Sequence, residues 1–318
     1  MPTLRERLAT RLAFMARPRS AEPLPVKLDR RRVYVLPTRF GLFFTVLLFA
    51  MLLGALNYNN NPALLLALML AATGNASLMA AHLQLSGLRV DALSADPVPA
   101  GSPLQVHLAL SAGDARARRG LQLRGAGGLV TVPPLAGEPV VATLQVATDR
   151  RGWLDLARLR LSTTQPLGLA LAWSWVWPDT PLLVYPAPEV QGPPLPRGDG
   201  SASQARLHHA GDDVHHLRSY RAGDPRRAIA WKPSARRDSL LVREYEQPLQ
   251  AEVLLQWSSL SALAYEQRIR RLAHWVDLAE RENHRYRLQL PGQPMLGPGL
   301  GPAHRHVCLR ALALLPHG

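Results

Sequence analysis

Cysteine is almost absent from this 318-residue chain: Cys308 is the only one. A single thiol excludes an internal disulfide framework and any multi-cysteine metal site. Among Leu309, Leu312 and Leu315, in an expected helix, it reads as a packed core thiol. Lysine is nearly missing too, with Lys27 and Lys232 alone among 37 basic residues. Acidic residues number 23, which leaves a formal net charge of +14. Arginine excess beside abundant Ala, Leu, Pro and Gly reads as compositional bias. Half of the net charge also lies in residues 1–39, where ten basic residues face only Glu6, Glu22 and Asp29. No nucleic-acid-binding module accompanies it, so nucleic acid is not expected as a partner.

Charge is missing altogether between Arg39 and His82. Phe40 to Leu56 is one apolar run, Asn57-Tyr58-Asn59-Asn60-Asn61 interrupts it, and Pro62 opens a second run reaching Leu83. A bilayer core ~30 Å thick takes about 20 helical residues, with roughly 17 as the short limit. Both runs qualify, the first only just. A soluble helix of that length would show a polar face. The pair does not read as a cleaved signal peptide: the first run starts too far in, and no small-x-small site precedes the second. Residues 40–83 are therefore expected as two transmembrane helices, with the lipid bilayer as a partner. By the positive-inside rule, residues 1–39 stay cytoplasmic, the Asn-rich turn lies outside, and the body returns to the cytoplasm. This predicts a two-pass protein of a bacterial inner membrane with both termini cytoplasmic. Within the basic segment, Leu4, Leu8, Leu12 and Met15 share one helical face, with Arg5, Arg7 and Arg11 elsewhere. That is the pattern of an interfacial amphipathic helix, and a frayed basic tail fits equally.

Past the hairpin the period becomes two. Leu104, Val106, Leu108 and Leu110 alternate with Gln105, His107 and Ala109. Similar short runs at 88–93, 121–124, 129–132, 139–147, 153–161 and 182–185, punctuated by Gly and Pro, predict an antiparallel β-sandwich over residues 84–186. Residues 187–206 are rich in Pro, Gly and Ser and read as a linker. In the remaining body, 207–318, Glu252–Trp257 and Arg285–Leu290 read as strands. Glu266–Arg281 and Ala303–Leu315 read as helices, the first presenting Ile269, Leu272, Ala273, Val276 and Ala279 on one face. That order predicts a small parallel sheet covered by helices. The expected fold is an N-terminal transmembrane α-hairpin, an antiparallel β-sandwich and a small α/β domain.

The most distinctive stretch runs from Leu217 through Arg218, Tyr220, Arg221, Gly223, Asp224, Arg227, Ile229, Trp231, Ala235 and Arg236, then Leu240 to Glu246. Gly223 permits a tight turn, Asp224 is a good N-cap, and Pro225 suits a first helical position. Arg226, Arg227, Ile229 and Trp231 are then expected on a short helix, with Ile229 and Trp231 facing inward. Arg218, Arg221 and Arg236 can pair with Asp213, Asp224, Glu244 or Glu246.

This stretch resembles the signature of the bacterial domain-of-unknown-function family 58. In that family an LR-x-Y-x-x-GD-x-x-R-x-I-x-W-x-x-x-AR segment precedes a strand ending in an acidic, aromatic, acidic triplet, here Glu244-Tyr245-Glu246. Arg151-Gly152, Pro166-Leu167-Gly168-Leu169 and Val184-Tyr185-Pro186 also look like this family's β region. The resemblance covers the chain from the hairpin to its end. It implies a truncated von Willebrand factor A-like α/β body and partnership with a MoxR-type AAA+ ATPase in the assembly or activation of other proteins. Arg218, Tyr220, Arg221, Gly223, Asp224, Arg227, Trp231, Ala235, Arg236 and Glu244 are accordingly the candidate partner-binding surface or its scaffold. In metal-binding A domains an Asp-x-Ser-x-Ser loop holds Mg2+. Here the matching place reads Gln256-Trp257-Ser258-Ser259-Leu260. Gln256 lacks the carboxylate that neutralises the cation, so Gln256 and Ser258 mark a degenerate metal loop and no metal is expected.

A rival reading uses His208-His209-x-x-Asp212-Asp213-x-His215-His216, whose imidazoles and carboxylates could serve a metal-dependent hydrolase. It follows a flexible stretch and lacks a helical H-x-x-x-H pair. With no self-contained catalytic constellation and no cofactor expected, a membrane-tethered, non-enzymatic adaptor or scaffold is the favoured expectation.

Overall fold

In the computed structural model the two uncharged runs form helices α1 (Arg39–Asn57) and α2 (Asn61–Leu85), packed on each other as a hairpin. The structure describes residues 20–156, 158–196, 206–208, 213–220, 229–237, 240–247 and 252–316. The amphipathic stretch expected over residues 3–16 lies outside them. The chain divides into two compact units, Met1–Tyr185 and Pro186–Gly318.

Both helices meet the length and composition needed to cross a membrane. Only Gly41 and Ala55 are buried on α1, and only Ala67, Ser77, Ala81 and Leu85 on α2. Phe43, Val46, Phe49, Leu65 and Met69 are exposed. The turn satisfies its own backbone. Tyr58 N–H donates to Gly54 O at 3.0 Å, Asn60 N–H to Ala55 O at 2.9 Å, and Asn60 Oδ1 caps α2 by accepting from Ala63 N–H at 3.1 Å. Thr45 and Thr73 return their hydroxyls to the carbonyls of Gly41 and Met69 within their own helices. Such internal pairing is what an apolar surrounding demands.

Two antiparallel sheets follow, built from β1 (Val26–Lys27), β2 (Tyr34–Pro37), β3 (Leu88–Ala95), β4 (Leu104–Ala112), β5 (Gln122–Gly125), β6 (Gly128–Thr131), β7 (Val140–Val146), β9 (Leu159–Thr163) and β10 (Ala170–Val176). One sheet has the order β1-β3-β4-β7 and the other β2-β10-β9-β5-β6. Strands β8 (Gly152–Leu154) and β11 (Leu182–Val184) form a separate antiparallel ribbon. The alternating residues Leu104, Val106, Leu108 and Leu110 turn inward with Leu144, Leu123, Leu159 and Leu161 to form the core. Each such side chain contributes about 1.5–3 kcal/mol on burial.

The sandwich also takes in residues from before the hairpin. Val26 pairs with Val90, and Tyr34–Pro37 pair with Trp173–Ala170, so β1 and β2 each edge one sheet. The sequence alone assigns residues 1–39 and 84–186 to separate segments. Strands of two and four residues among prolines carry no legible alternation, which is why they escape that assignment. Strand β10 was missed for a different reason: its burial is nearly continuous, so period two is lost. The expected run 153–161 divides into β8 and β9.

Helix α2 does not end at the sandwich but enters it. Ala81 and Leu85 belong to the sandwich core. Its C-terminal carbonyls are captured by Arg118, which is 1% exposed. Nε of Arg118 donates to Gln84 O at 3.0 Å, and one terminal nitrogen donates to Ser86 O at 3.0 Å. The other terminal nitrogen donates to Asp114 Oδ1 at 2.6 Å, and this bond holds the Asp114 carboxyl below its ordinary range. A cation at a helix C-terminus also opposes the helix dipole. At the other base, Thr38 caps α1: its hydroxyl accepts from Gly41 N–H at 3.0 Å and donates to Gly168 O at 2.6 Å.

In the second unit, β12 (Arg206–His208), β14 (Leu241–Gln247) and β13 (Asp213–Ser219) form an antiparallel sheet in that order, with helix α3 (Trp231–Arg237) between β13 and β14 in the chain. A second sheet carries β15 (Val253–Gln256), β16 (Tyr286–Gln289) and β17 (Leu296–Gly299). Strands β15 and β16 are parallel and joined by α4 (Tyr265–Arg281), whose buried face is Ile269, Leu272, Ala273, Trp275, Val276 and Ala279. Strand β17 pairs antiparallel to β16 before α5 (Pro302–Ala313), so the sheet is mixed and not purely parallel. Its Gly-Pro composition conceals it in the sequence. The first part of the expected linker lies against α4: Glu189 pairs with Arg271, and Trp275 Nε1 donates to the carbonyls of Pro193 and Pro194, each at 3.1 Å.

Candidate functional site

The 217–246 motif is organised by a small polar knot. Ile229 forms an antiparallel bridge with Val242, and both are buried, with Tyr220 packed against them. Tyr220 N–H donates to Leu240 O and Ala230 N–H to Leu241 O, both at 2.8 Å. Ser234, in the middle of α3, is buried; its hydroxyl donates to Ala230 O at 2.8 Å and accepts from Leu241 N–H at 2.9 Å. One hydroxyl thus ties the helix to the start of β14. Sequence reasoning passed over Ser234, although a serine four residues after Ala230 on a helix is placed to reach that carbonyl.

The candidate residues fall in three groups. Trp231, expected to face inward, is 64% exposed, because helix α3 starts at Trp231 and buries its Ser234 side instead. Ala235, one turn on, is exposed beside it, and Leu240 is exposed as well. Arg218, Arg236 and Glu244 are placed by backbone: register sets Arg218 opposite Val242 and Glu244 opposite His216, while Arg236 lies in α3. Arg221, Gly223, Asp224 and Arg227, and with them the expected helix start at Asp224, lie outside the described residues.

The loop expected as a degenerate metal site follows β15. Gln256 is half-buried and Ser258 exposed, and Ser259 Oγ donates to Gln256 O at 2.8 Å. Just after this loop a side chain from α4 takes two carbonyls: Arg268 Nε donates to Leu263 O at 2.7 Å, and its terminal nitrogen to Ser261 O at 2.6 Å. The same guanidinium lies 5.5 Å from the Trp257 ring, which meets Tyr265 edge-on at 5.0 Å. In the histidine cluster, His208, Asp213, His215 and His216 lie in β12 and β13, while His209 and Asp212 are outside the described residues. Among the described residues no group of three metal-ligating side chains gathers.

Cys308 sits on α5 with Sγ 3.6 Å from His304 Nε2, an arrangement that suggests a nucleophile on distance alone. Burial, reinforced by the charge of Glu280, pushes its thiol up to about 12, so the thiolate is suppressed. Glu280 is itself committed to structure: it accepts from Tyr286 Oη at 2.9 Å and from Gly301 N–H at the start of α5 at 3.0 Å. The cluster locks α5 to β16 through a buried tyrosine whose pKa is raised by desolvation.

Comparison with protein-family models, with curated proteins and with solved structures finds no match for this chain.

Proposed function

We propose that this chain is a membrane-tethered, non-enzymatic adaptor. Its hairpin crosses a bacterial inner membrane twice, and its body stands on the cytoplasmic side. The observation that carries the tether is the exposed apolar surface of α1 and α2 above a base locked into the sandwich. In water that surface would be a large unpaired apolar patch. The pairing of β1 with β3 and of β2 with β10 supports an even number of crossings, since strands on either side of the hairpin share sheets. The exposed arginines 30, 31 and 39 favour the cytoplasmic side for that shared end.

The docking half of the proposal draws on the family-58 resemblance, which points to a MoxR-type AAA+ ATPase and a truncated von Willebrand factor A-like body. Exposed Trp231 on the Ser234-braced helix supports it, because tryptophan is enriched where interfaces concentrate their energy. The test is a pull-down of full-length protein from crosslinked native membranes, run beside Trp231→Ala. The expected result is an AAA+ ATPase recovered with the wild type and depleted in the variant. Recovery of the hairpin protein without any ATPase sinks the partnership. Equal recovery by both moves the docking surface away from α3.

A further inference from the structure

We propose that the hairpin end of the β-sandwich is itself seated in the lipid. Leu36, Leu167, Leu78 and Met79 form an apolar collar inserted into the headgroup and upper acyl layer of the leaflet that α1 enters. This rests on the membrane-spanning reading of the hairpin, and goes beyond it by setting the boundary below Arg39.

Three elements bring the collar to one level. Leu36 stands two residues before Thr38, the cap of α1, and pairs with Leu171 across the sheet. Leu167 is on the loop that Thr38 grips: Thr38 N–H donates to Leu169 O at 2.8 Å and its hydroxyl to Gly168 O. Gly41 of α1 lies directly against Leu169, and Gly74 of α2 faces Phe44, which puts Leu78 and Met79 about one turn beyond, at the depth of the cap. All four side chains are exposed, Met79 at 63% and Leu167 at 49%. Phe40 and Phe43, at the start of α1, are exposed as well.

Length supplies a second reason. Phe40–Leu56 rises only about 26 Å, against a hydrocarbon core of ~30 Å. The collar adds apolar surface at the end where the helix falls short, and exposed Arg39 can extend its guanidinium toward water from that depth. The backbone there is also prepared for scarce water. The carbonyls of Gly168 and Leu169 are taken by Thr38, Gly168 N–H donates to Thr164 O, and Gln165 N–H to Thr163 Oγ1. Tyr34 stacks on Trp173 at 5.7 Å just behind the collar, where an interfacial aromatic belongs. Asn75, an exposed amide, lies about one turn to the lipid side of Met79, a polar cost set against the apolar surface of the collar. Because α2 runs unbroken into the sandwich core, the domain cannot swing clear of the surface.

The test uses the full chain in a Cys308→Ser background, reconstituted in phosphatidylcholine–phosphatidylglycerol vesicles. Single cysteines at Leu36, Leu167 and Met79 carry an environment-sensitive fluorophore, quenched either by acyl-chain bromine or by aqueous iodide. Phe49→Cys reports mid-helix. Leu129→Cys on β6, in the row of Trp175, reports a point about 13 Å further along the sheet. The expected result is a ratio of lipid to aqueous quenching at the three collar sites several-fold above that at Leu129→Cys. Iodide-dominated quenching at the collar, with Phe49→Cys still quenched from the lipid, overturns the collar and leaves the hairpin standing. Collar sites shielded from both quenchers also overturn it, since protein then covers them. Aqueous quenching at Phe49→Cys defeats the spanning reading itself.

Discussion

Replacing Arg118 by alanine should uncouple helix α2 from the sandwich. The guanidinium is 1% exposed and donates to Gln84 O, Ser86 O and Asp114 Oδ1. Two helix-terminal carbonyls would lose their donors, at about 1–3 kcal/mol each where water cannot reach them. Removing the side chain adds a cavity contribution, while no longer burying a charge works in the opposite direction. Breaking a buried pair by removing one partner costs about 3–5 kcal/mol, and the lower end applies because the partner carboxylate is not itself buried. The Asp114 side chain is 39% exposed, so it can turn to solvent. We therefore expect Arg118→Ala to cost ~3 kcal/mol. At roughly 2–4 °C per kcal/mol for a unit of this size, the transition falls by about 6–12 °C.

Calorimetry of the detergent-solubilised full chain reads that shift, and hydrogen exchange localises it to the amides following Leu85. Asp114→Asn should cost less than ~1 kcal/mol, as an exposed pair does. Arg118→Lys should fall between, keeping the charge but not the forked reach to two carbonyls. An Arg118→Ala variant within ~1 kcal/mol of wild type would refute carbonyl capture as the coupling device. So would an Asp114→Asn variant as unstable as Arg118→Ala.

Gly41→Ala drives a Cβ into the Leu169 carbonyl oxygen, so the helix and the loop must part; the melting temperature should drop by several degrees. Gly54→Ala meets open space and should be neutral or stabilising by up to ~1 kcal/mol, so equal effects of the two would contradict the close approach. Cys308 should resist an aromatic disulfide reagent at pH 8 in the native protein and react fully on denaturation, and fast native labelling would show the thiol accessible. Arg271 holds the Glu189 carboxyl below its ordinary range, so the contribution of this pair is complete above a pH of about 4.3 and fades as pH falls through the folded value. Limited proteolysis near residue 190 should therefore quicken below that pH in wild type. Glu189→Gln should be cut quickly at every pH, and identical profiles would mean the pair does not hold the segment.

The composition and periodicity already reveal the two uncharged helices, because length and absence of charge are local properties. The same holds for strand β4, whose alternation is read directly from Leu104 to Leu110, and for helix α4, whose apolar face recurs at helical spacing. Within the motif, the inward place of Ile229 was legible, yet Trp231 was not: which side of a seven-residue helix is buried depends on Ser234 meeting Leu241. The joining of residues before and after the hairpin in shared sheets could not be read either, since β1 and β2 gain their structure only from the partners they edge. Nor does any local pattern distinguish Arg118 from its neighbours Arg116 and Arg119. Only the fold carries α2 into the core and brings that guanidinium to its last carbonyls, because a buried charge is tolerable only where tertiary structure assembles its partners.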